Sequence, residues 1–217
     1  MANIFPRWTN YLPLKIVFCL LVAGGAVSAV YWYYLTPEYM RAGYQPVQPV
    51  PFSHNIHVTQ LGMDCRYCHS YVEVSSHSNV PTTQTCMNCH TQVQANNPRL
   101  EAVRESWQTG NPVDWVKIHQ VPDFAYFNHS VHVNRGISCV SCHGQVNHMD
   151  VVNQQEPLSM GWCLNCHRHP ENNLRPVSQV FNLDWKPGNG QSQEQIGLNL
   201  KEQWNINPPQ TCEGCHR

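Results

Sequence analysis

Residues 65–90 read CRYCHSYVEVSSHSNVPTTQTCMNCH, and this stretch decides how the chain folds. It holds two copies of the pattern Cys-x-x-Cys-His, at residues 65–69 and 86–90, with one more histidine, His77, between them. Cysteine and histidine at a fixed, repeated spacing indicate a chemical requirement more than a packing preference. The same pattern returns further along the chain, so its repetition sets the architecture.

The pattern occurs five times in 217 residues and uses ten of the eleven cysteines. The cysteine pairs are Cys65 and Cys68, Cys86 and Cys89, Cys139 and Cys142, Cys163 and Cys166, and Cys212 and Cys215, and the histidines that follow them are His69, His90, His143, His167 and His216. Roughly three chains in a hundred of this composition would contain one copy by chance. Five copies are therefore a very strong signal.

The spacing within each copy matches the chemistry of covalent haem attachment. Two thiols three positions apart can add to the two vinyl groups of one haem, and the adjacent histidine then faces the iron as its proximal ligand. We therefore predict five covalently attached haem c groups. Disulfides and zinc sites are the alternatives, but neither requires a histidine directly after every second cysteine.

The histidines outside the motifs are numerous enough to close every iron with a second ligand. They are His54, His57, His77, His119, His129, His132, His148 and His169. This supply predicts six-coordinate, low-spin haems that pass electrons and bind no substrate, so no catalytic residue is expected.

The sequence indicates different roles for the individual histidines outside the motifs. We expect His77 to ligate one of the two haems that flank it. His119 is interpreted as a ligand, with a packed or surface histidine as the alternative. Either His148 or its neighbour Met149 could close the haem of Cys163 and Cys166, whereas His169 is expected at the surface.

An internal repeat divides the part of the chain that carries the motifs. FSHNIHVTQLGMDCRYCH, from Phe52, and FNHSVHVNRGISCVSCH, from Phe127, match at the phenylalanine, both histidines, the valine, the glycine and the motif. We predict a first haem module at residues 52–120, with haems 1 and 2, and a second at 121–217, with haems 3 to 5. Because only 41% of the residues are apolar, the macrocycles must supply much of the buried surface. The expected fold is coil with short α-helices.

The N-terminal region contains an uncharged apolar run, IVFCLLVAGGAVSAVYWYYL, at residues 16–35. It is long enough to cross a bilayer as a helix, with Arg7 and Lys15 before it and aromatic residues at its end. We predict a cytoplasmic N-terminus at 1–14, an anchor at 15–36 and a Pro-rich spacer at 37–51, with all that follows outside the cytoplasm. A removed signal peptide ending at Ala29 is the alternative. The net charge of −1 gives no indication of nucleic-acid binding.

The two His-x-x-His pairs are similar to those of small multihaem cytochromes of the c3 and c7 type. That resemblance implies that His54 and His129 ligate the haem just downstream, while His57 and His132 reach other haems. A zinc site on one helical face is the alternative use of such a pair.

The whole chain resembles a larger family. The anchor, the five motifs and the segments DCRYCHSYVEVSSHSNVPTTQTCMNCH, PDFAYFNHSVHVNRGISCVSCHGQV and PLSMGWCLNCHRHPE look like the pentahaem cytochrome subunit, ActA, of bacterial alternative complex III. The resemblance implies an electron-transfer subunit, not itself an enzyme, of a respiratory or photosynthetic complex that oxidises quinol at the inner membrane, with the haem domain on the periplasmic side.

The partners and ligands implied by that family are specific. The partners would be an iron-sulfur, molybdopterin-like subunit, a polytopic quinol-binding membrane subunit and monohaem cytochrome c subunits. The implied iron ligands are the five proximal histidines with His54, His57, His77, His119, His129 and His132, one more than five irons require.

Three other functions compete with this interpretation. A stand-alone quinol dehydrogenase needs a haem near the membrane, whereas the spacer separates the first motif from the anchor. A multihaem reductase needs an open iron, whereas all five motifs end in histidine. A soluble electron store would carry a charged surface, but only 12% of the residues are charged.

Overall fold

The computed structural model describes residues 6–35, 41–188 and 190–216. Within these ranges the regular structure consists of short helices and turns, and no β-strand occurs. Two isolated bridges, Ala125 with His216 and Ile137 with Leu174, are the extended pairings. The prediction of short helices and coil without substantial sheet is thereby confirmed.

The chain divides into two compact units, Met1–Arg41 and Ala42–Arg217. The first contains a 3-10 turn, Arg7–Tyr11, and helix α1, Leu12–Leu35. α1 begins three residues before the anchor predicted at 15–36, because Pro13 falls in the first helical turn, where no N–H donor is needed. Residues 1–5 of the predicted N-terminus and residue 36 of the anchor lie outside the described residues.

Helix α1 is long and apolar enough to cross a membrane, by length and composition. Its described side chains are all exposed, so they are not part of a protein core. An apolar helix without such a core suits either a lipid environment or a signal sequence.

The described residues of the second unit form seven short α-helices. They are α2 Cys65–Cys68, α3 Thr83–His90, α4 Glu101–Thr109, α5 His129–Val133, α6 Val140–His143, α7 Met160–Arg168 and α8 Gln193–Gln203. A π-helical turn, Asn55–Gln60, and 3-10 turns at Pro98–Leu100, Val146–His148, Pro170–Asn172, Val177–Gln179 and Cys212–Gly214 complete it.

Side-chain caps explain where several of these helices begin. Asn128 accepts a hydrogen bond from the backbone of Ser130 at the start of α5, and Ser159 accepts one from Trp162 at the start of α7. Ser192 and Gln195 form a reciprocal capping box at the start of α8. Each cap satisfies a backbone N–H that the first helical turn leaves free.

The hydrophobic core of this unit is small. One cluster contains the buried residues Val50, Met87 and Val103, and a second contains Val72, Val133 and Val180. In the described ranges, eight hydrophobic side chains are buried. A core of that size indicates that another apolar component completes the interior, as the sequence predicted.

The described part of the predicted spacer is bonded to the rest of the unit. Gly43 N donates to Gln154 O at 2.7 Å, and Gln154 N donates to Tyr44 O at 3.0 Å. Gln45 Nε2 donates to Val151 O at 3.0 Å. Gly43, Tyr44 and Gln45 are therefore held by the second half of the chain, while residues 37–40 of the predicted spacer lie outside the described residues. The division into haem modules at 52–120 and 121–217 stays a prediction.

Candidate cofactor sites

The five motifs share a local setting. Four lie at or within the helices α2, α3, α6 and α7, and the fifth lies on the 3-10 turn Cys212–Gly214. A helical turn places the two thiols of each motif and the following histidine on neighbouring positions. None of the eleven cysteines forms a disulfide.

The thiols of the third motif are in a markedly apolar environment. Burial raises the pKa of Cys139 to about 11 and that of Cys142 to about 12. Among the described residues, no group of three or more His, Cys, Asp or Glu side chains is placed to hold a metal ion. The zinc alternative therefore has no support in the described part of the chain.

Seven histidines hold one ring nitrogen in the same way. Their Nδ1 atoms lie 2.6–3.0 Å from backbone carbonyl oxygens: His57 from Ser53, His69 from Asn79, His90 from Val93, His129 from Ser76, His132 from Asn128, His167 from Pro209 and His216 from Phe124. A carbonyl only accepts, so Nδ1 must be the donor. This tautomer leaves Nε2 available as a ligand to iron.

Two ring pairs have the separation that a shared iron requires. The ring centres of His57 and His90 are 6.2 Å apart, as are those of His132 and His167. A metal ion about 2 Å from each of two imidazole nitrogens places the ring centres about 6 Å apart. Both pairs therefore fit an iron between them.

The third proximal histidine, His143, has two histidine neighbours. The ring of His129 is 6.5 Å away and nearly parallel, at 10°, whereas the ring of His119 is 4.3 Å away at 78°. Only the longer separation leaves room for an iron between the rings. The Nε2 atom of His119 is nevertheless buried without a hydrogen-bond partner, so His119 retains a free ligand atom in the same region.

Burial keeps the central histidines neutral. Together with smaller contributions from nearby His119 and His129, it lowers the pKa of His143 to about 3. It also lowers the pKa of His54 to about 4, with smaller contributions from His69 and His57. Neutral imidazole is the form that binds a metal. His54 is thus placed near the first proximal histidine, and its buried Nδ1 has no hydrogen-bond partner.

The internal repeat has matching local geometry. The Phe52 ring stacks on His57 at 4.4 Å, and the Phe127 ring stacks on His132 at 4.7 Å. The same rings lie edge-on to His54 and His129, at 4.9 and 4.7 Å. The phenylalanine shared by both copies thus fixes the orientation of both histidines that follow it.

Three other histidines occupy different settings. His148 uses both nitrogens, with Nε2 2.9 Å from Asp184 Oδ1 and Nδ1 3.2 Å from Thr59 Oγ1. His169 is exposed, with Nδ1 3.3 Å from Glu171 Oε1. His77 is exposed and contributes to the lowered pKa of His129. The structure places His132 beside His167, where the sequence suggested His148 or Met149.

Sequence reasoning missed the carbonyl groups that orient the histidines. Asn79 is the clearest case, since its backbone φ of 53° turns its carbonyl toward His69. Its side chain also donates to Cys68 O and accepts from Tyr71 N. Asparagine tolerates this left-handed conformation better than most residues, so an asparagine ten positions after a motif histidine was the available signal.

Comparison with known proteins agrees with this geometry. The family described as "Cytochrome c7 and related cytochrome c" matches residues 50–109 and 125–217, which include all five motifs. The chain belongs to the cytochrome c7 family. The cytochrome is also 30% identical, over 174 residues, to the multihaem cytochrome c subunit of the menaquinone reductase of Nitratidesulfovibrio vulgaris. That match covers 70% of this cytochrome and 80% of the relative.

Proposed function

We propose that this cytochrome carries five covalent haem c groups and relays electrons as an anchored subunit of a quinol-oxidising complex of the alternative complex III type. When bound, each haem supplies a one-electron Fe(III)/Fe(II) couple. The observation that carries the proposal is the pairing of His57 with His90 and His132 with His167 at 6.2 Å. Two histidines at one iron leave no position for a substrate.

The chain's own residues divide the work of binding. The ten motif cysteines attach the haems, and the five motif histidines provide the proximal ligands. The distal ligands are His57 for the second motif, His132 for the fourth, His129 for the third and His54 for the first. His77 and His119, which the family resemblance also implies as ligands, lie near the histidines of the third motif, so these contacts assign no distal ligand to the fifth.

The membrane location rests on α1. Its exposed apolar side chains suit lipid, Arg7 and Lys15 suit the cytoplasmic face, and Tyr31 and Trp32 suit the outer interface. This orientation places residues 42–217 on the periplasmic side of the bacterial inner membrane. A removed signal sequence would instead yield a haem-loaded chain that lacks α1.

The proposed partners come from the family resemblance and from the named relative. The relative is a subunit of a menaquinone reductase, which supports the assignment of this cytochrome to a quinone-linked complex. We propose an iron-sulfur, molybdopterin-like subunit, a polytopic quinol-binding subunit and monohaem cytochromes as its neighbours.

A second candidate function differs in the direction of electron flow. The relative's name describes reduction of menaquinone, so this cytochrome would then deliver electrons to the quinone. The residues that hold the haems would be the same. The direction is set by the potentials of the haems relative to those of the quinone and of the periplasmic partner.

Purification from membranes tests both candidates. The chain is extracted with mild detergent, its copurifying subunits are identified by mass, and its intact mass is compared with that of the haem-free sequence. We expect a mass increase of five haem groups, an iron-sulfur subunit and a polytopic subunit. Haem reduction by menaquinol in vesicles supports quinol oxidation, whereas menaquinone reduction by a periplasmic donor alone supports the second candidate. A chain that purifies alone contradicts both.

A further inference from the structure

We infer that the five attachment motifs follow one another in space in the order second, first, third, fourth, fifth. The two predicted haem modules, 52–120 and 121–217, are thus joined through their first motifs. In the N-terminal module the spatial order of the two motifs, counted toward the centre, is the reverse of their order in sequence. The inference rests on the proposed function, because the order matters only if the motifs carry haems. It deepens that function by defining the two ends of the relay.

The first and second motifs are joined by one helical turn. His54 and His57 are three residues apart, at the N-cap and in the first residues of the π-helical turn Asn55–Gln60. His57 faces His90 of the second motif, and the proposed function assigns His54 to the first. The ligands for both motifs therefore start from one short segment.

A direct hydrogen bond supports the same neighbourhood. Asn88 Nδ2, within the second motif, donates to Tyr67 Oη, within the first, at 3.2 Å. The pKa of Cys68 is raised by burial and then by the nearby thiols of Cys86 and Cys89. Thus side chains inside the two motifs contact each other.

The third and fourth motifs repeat this arrangement on α5. His129 and His132 are three residues apart, and their rings face His143 and His167 respectively. The pKa of Cys142 is raised by burial and next by Cys166 of the fourth motif. The third motif therefore lies beside the fourth.

The fifth motif lies against the fourth. His167 Nδ1 donates to the carbonyl of Pro209, three residues before the fifth motif, at 2.6 Å. Gln210 Nε2 donates to His167 O at 3.4 Å.

The two predicted haem modules meet at the first motif of each. His129 Nδ1 donates to Ser76 O at 2.8 Å, and Asn134 Nδ2 donates to Glu73 O at 2.8 Å. Both acceptors follow the first motif in sequence. Val72, from the same segment, packs with Val133 of α5 in one core cluster.

The first and third motifs also contact one shared segment. Arg66, within the first motif, lies over the ring of Phe181 at 4.6 Å, and Ser138, directly before the third motif, donates a hydrogen bond to Val180 O. The second motif packs elsewhere, since its Met87 belongs to the cluster with Val50 and Val103. The first motif, and not the second, therefore adjoins the third.

Exposure of the thiols agrees independently with this order. Cys89 of the second motif and Cys212 of the fifth are the exposed motif cysteines, while the other eight are partly buried. The order places the third motif at the centre. In agreement with this position, burial raises the pKa of its thiols Cys139 and Cys142 to about 11 and about 12. The second and fifth motifs are thus the ends that redox partners can reach.

The order is tested by cryo-electron microscopy of the haem-loaded complex. We expect the iron of the first motif to have the irons of the second and third motifs as its two nearest neighbours. An iron of the second motif lying between those of the first and third would overturn the inference. Either result is readable whatever the partner subunits are, so failure of the order is distinct from failure of the proposed function.

A matched pair of variants tests the order in solution. His57→Met and His54→Met each mark one haem with a methionine ligand, which raises its potential so that it is reduced first. A reduced low-spin iron is diamagnetic and no longer couples magnetically to adjacent oxidised haems. Electron paramagnetic resonance then shows how many oxidised haems change their signal. We expect one altered neighbour in His57→Met and two in His54→Met. Two altered neighbours in His57→Met and one in His54→Met would overturn the order.

Discussion

The rings of His132 and His167 lie 6.2 Å apart, although one belongs to α5 and the other to α7. Each directs its Nδ1 hydrogen to a backbone carbonyl, that of Asn128 or that of Pro209. These hydrogen bonds therefore hold both rings in fixed orientations. Preorganised ligands of this kind favour a low-spin iron with little rearrangement between oxidation states.

Replacement of His132 tests this pairing. In His132→Ala, the fourth motif keeps His167 but loses its distal ligand, so we expect one low-spin haem to become high-spin while four stay unchanged. Low-temperature electron paramagnetic resonance measures the change. His169→Gln is the control, because His169 is exposed and bound to Glu171, and its spectrum should match that of the wild type. An unchanged spectrum in His132→Ala would show that another side chain closes this iron.

Replacement of His148 should alter stability and leave the haems unchanged. Its ring joins Thr59 to Asp184, so His148→Gln removes a contact between distant segments. Because the pair is solvent-exposed, we expect a loss of less than about 1 kcal/mol in the free energy of unfolding. Thermal unfolding measures the loss. Appearance of a high-spin haem in His148→Gln would instead make His148 a ligand.

Acidification should release buried histidines from their irons. Burial lowers the pKa of His54 from 6.5 to about 4 in the folded chain, so the unfolded chain binds more protons between these values. Stability therefore falls as pH decreases through this window, and protonated His54 cannot bind iron. Coordination to iron keeps the imidazole neutral to still lower pH, so we expect low-spin signals to persist near neutral pH and to be lost only below about pH 4. Loss of low-spin signal on raising the pH through neutrality would contradict this account.

Close packing of α8 makes Gly197 sensitive to substitution. A Cβ atom at this position would overlap the backbone carbonyl of Glu171, which cannot move without displacing the turn Pro170–Asn172. We expect Gly197→Ala to lower the free energy of unfolding by about 1–3 kcal/mol. Gly188→Ala is the control, since nothing lies within 4 Å of its added Cβ, and its effect should stay within about 0.5 kcal/mol. Equal stability of the two variants would show that α8 shifts freely.

The features that depend on local sequence were predictable. The cytochrome c7 fold and the long N-terminal apolar helix are confirmed, because haem attachment and bilayer length impose short patterns on the chain. The start of α1 was less predictable, since it depends on how Pro13 fits the first turn. The spacing of His77 between the first two motifs likewise gave no indication that it lies near His129.

The features that depend on tertiary contacts were not predictable. Spacing left His148 and Met149 as candidates for the fourth motif, and only the fold shows His148 between Thr59 and Asp184. The segment before Phe52 was predicted only as a Pro-rich spacer, and that composition gave no indication of the hydrogen bonds that join Gly43 and Tyr44 to Gln154. The order of the motifs likewise depends on contacts such as that of His129 with Ser76.

The central claim is that this chain holds five six-coordinate haems as an electron relay. Low-temperature electron paramagnetic resonance with near-infrared magnetic circular dichroism on the membrane-extracted complex tests it most directly. The account predicts five low-spin irons, at most one with a methionine-to-iron band, and no iron that binds cyanide or nitrite. A high-spin iron that binds either ligand, in a protein that purifies alone, would contradict it and indicate substrate chemistry at an open haem.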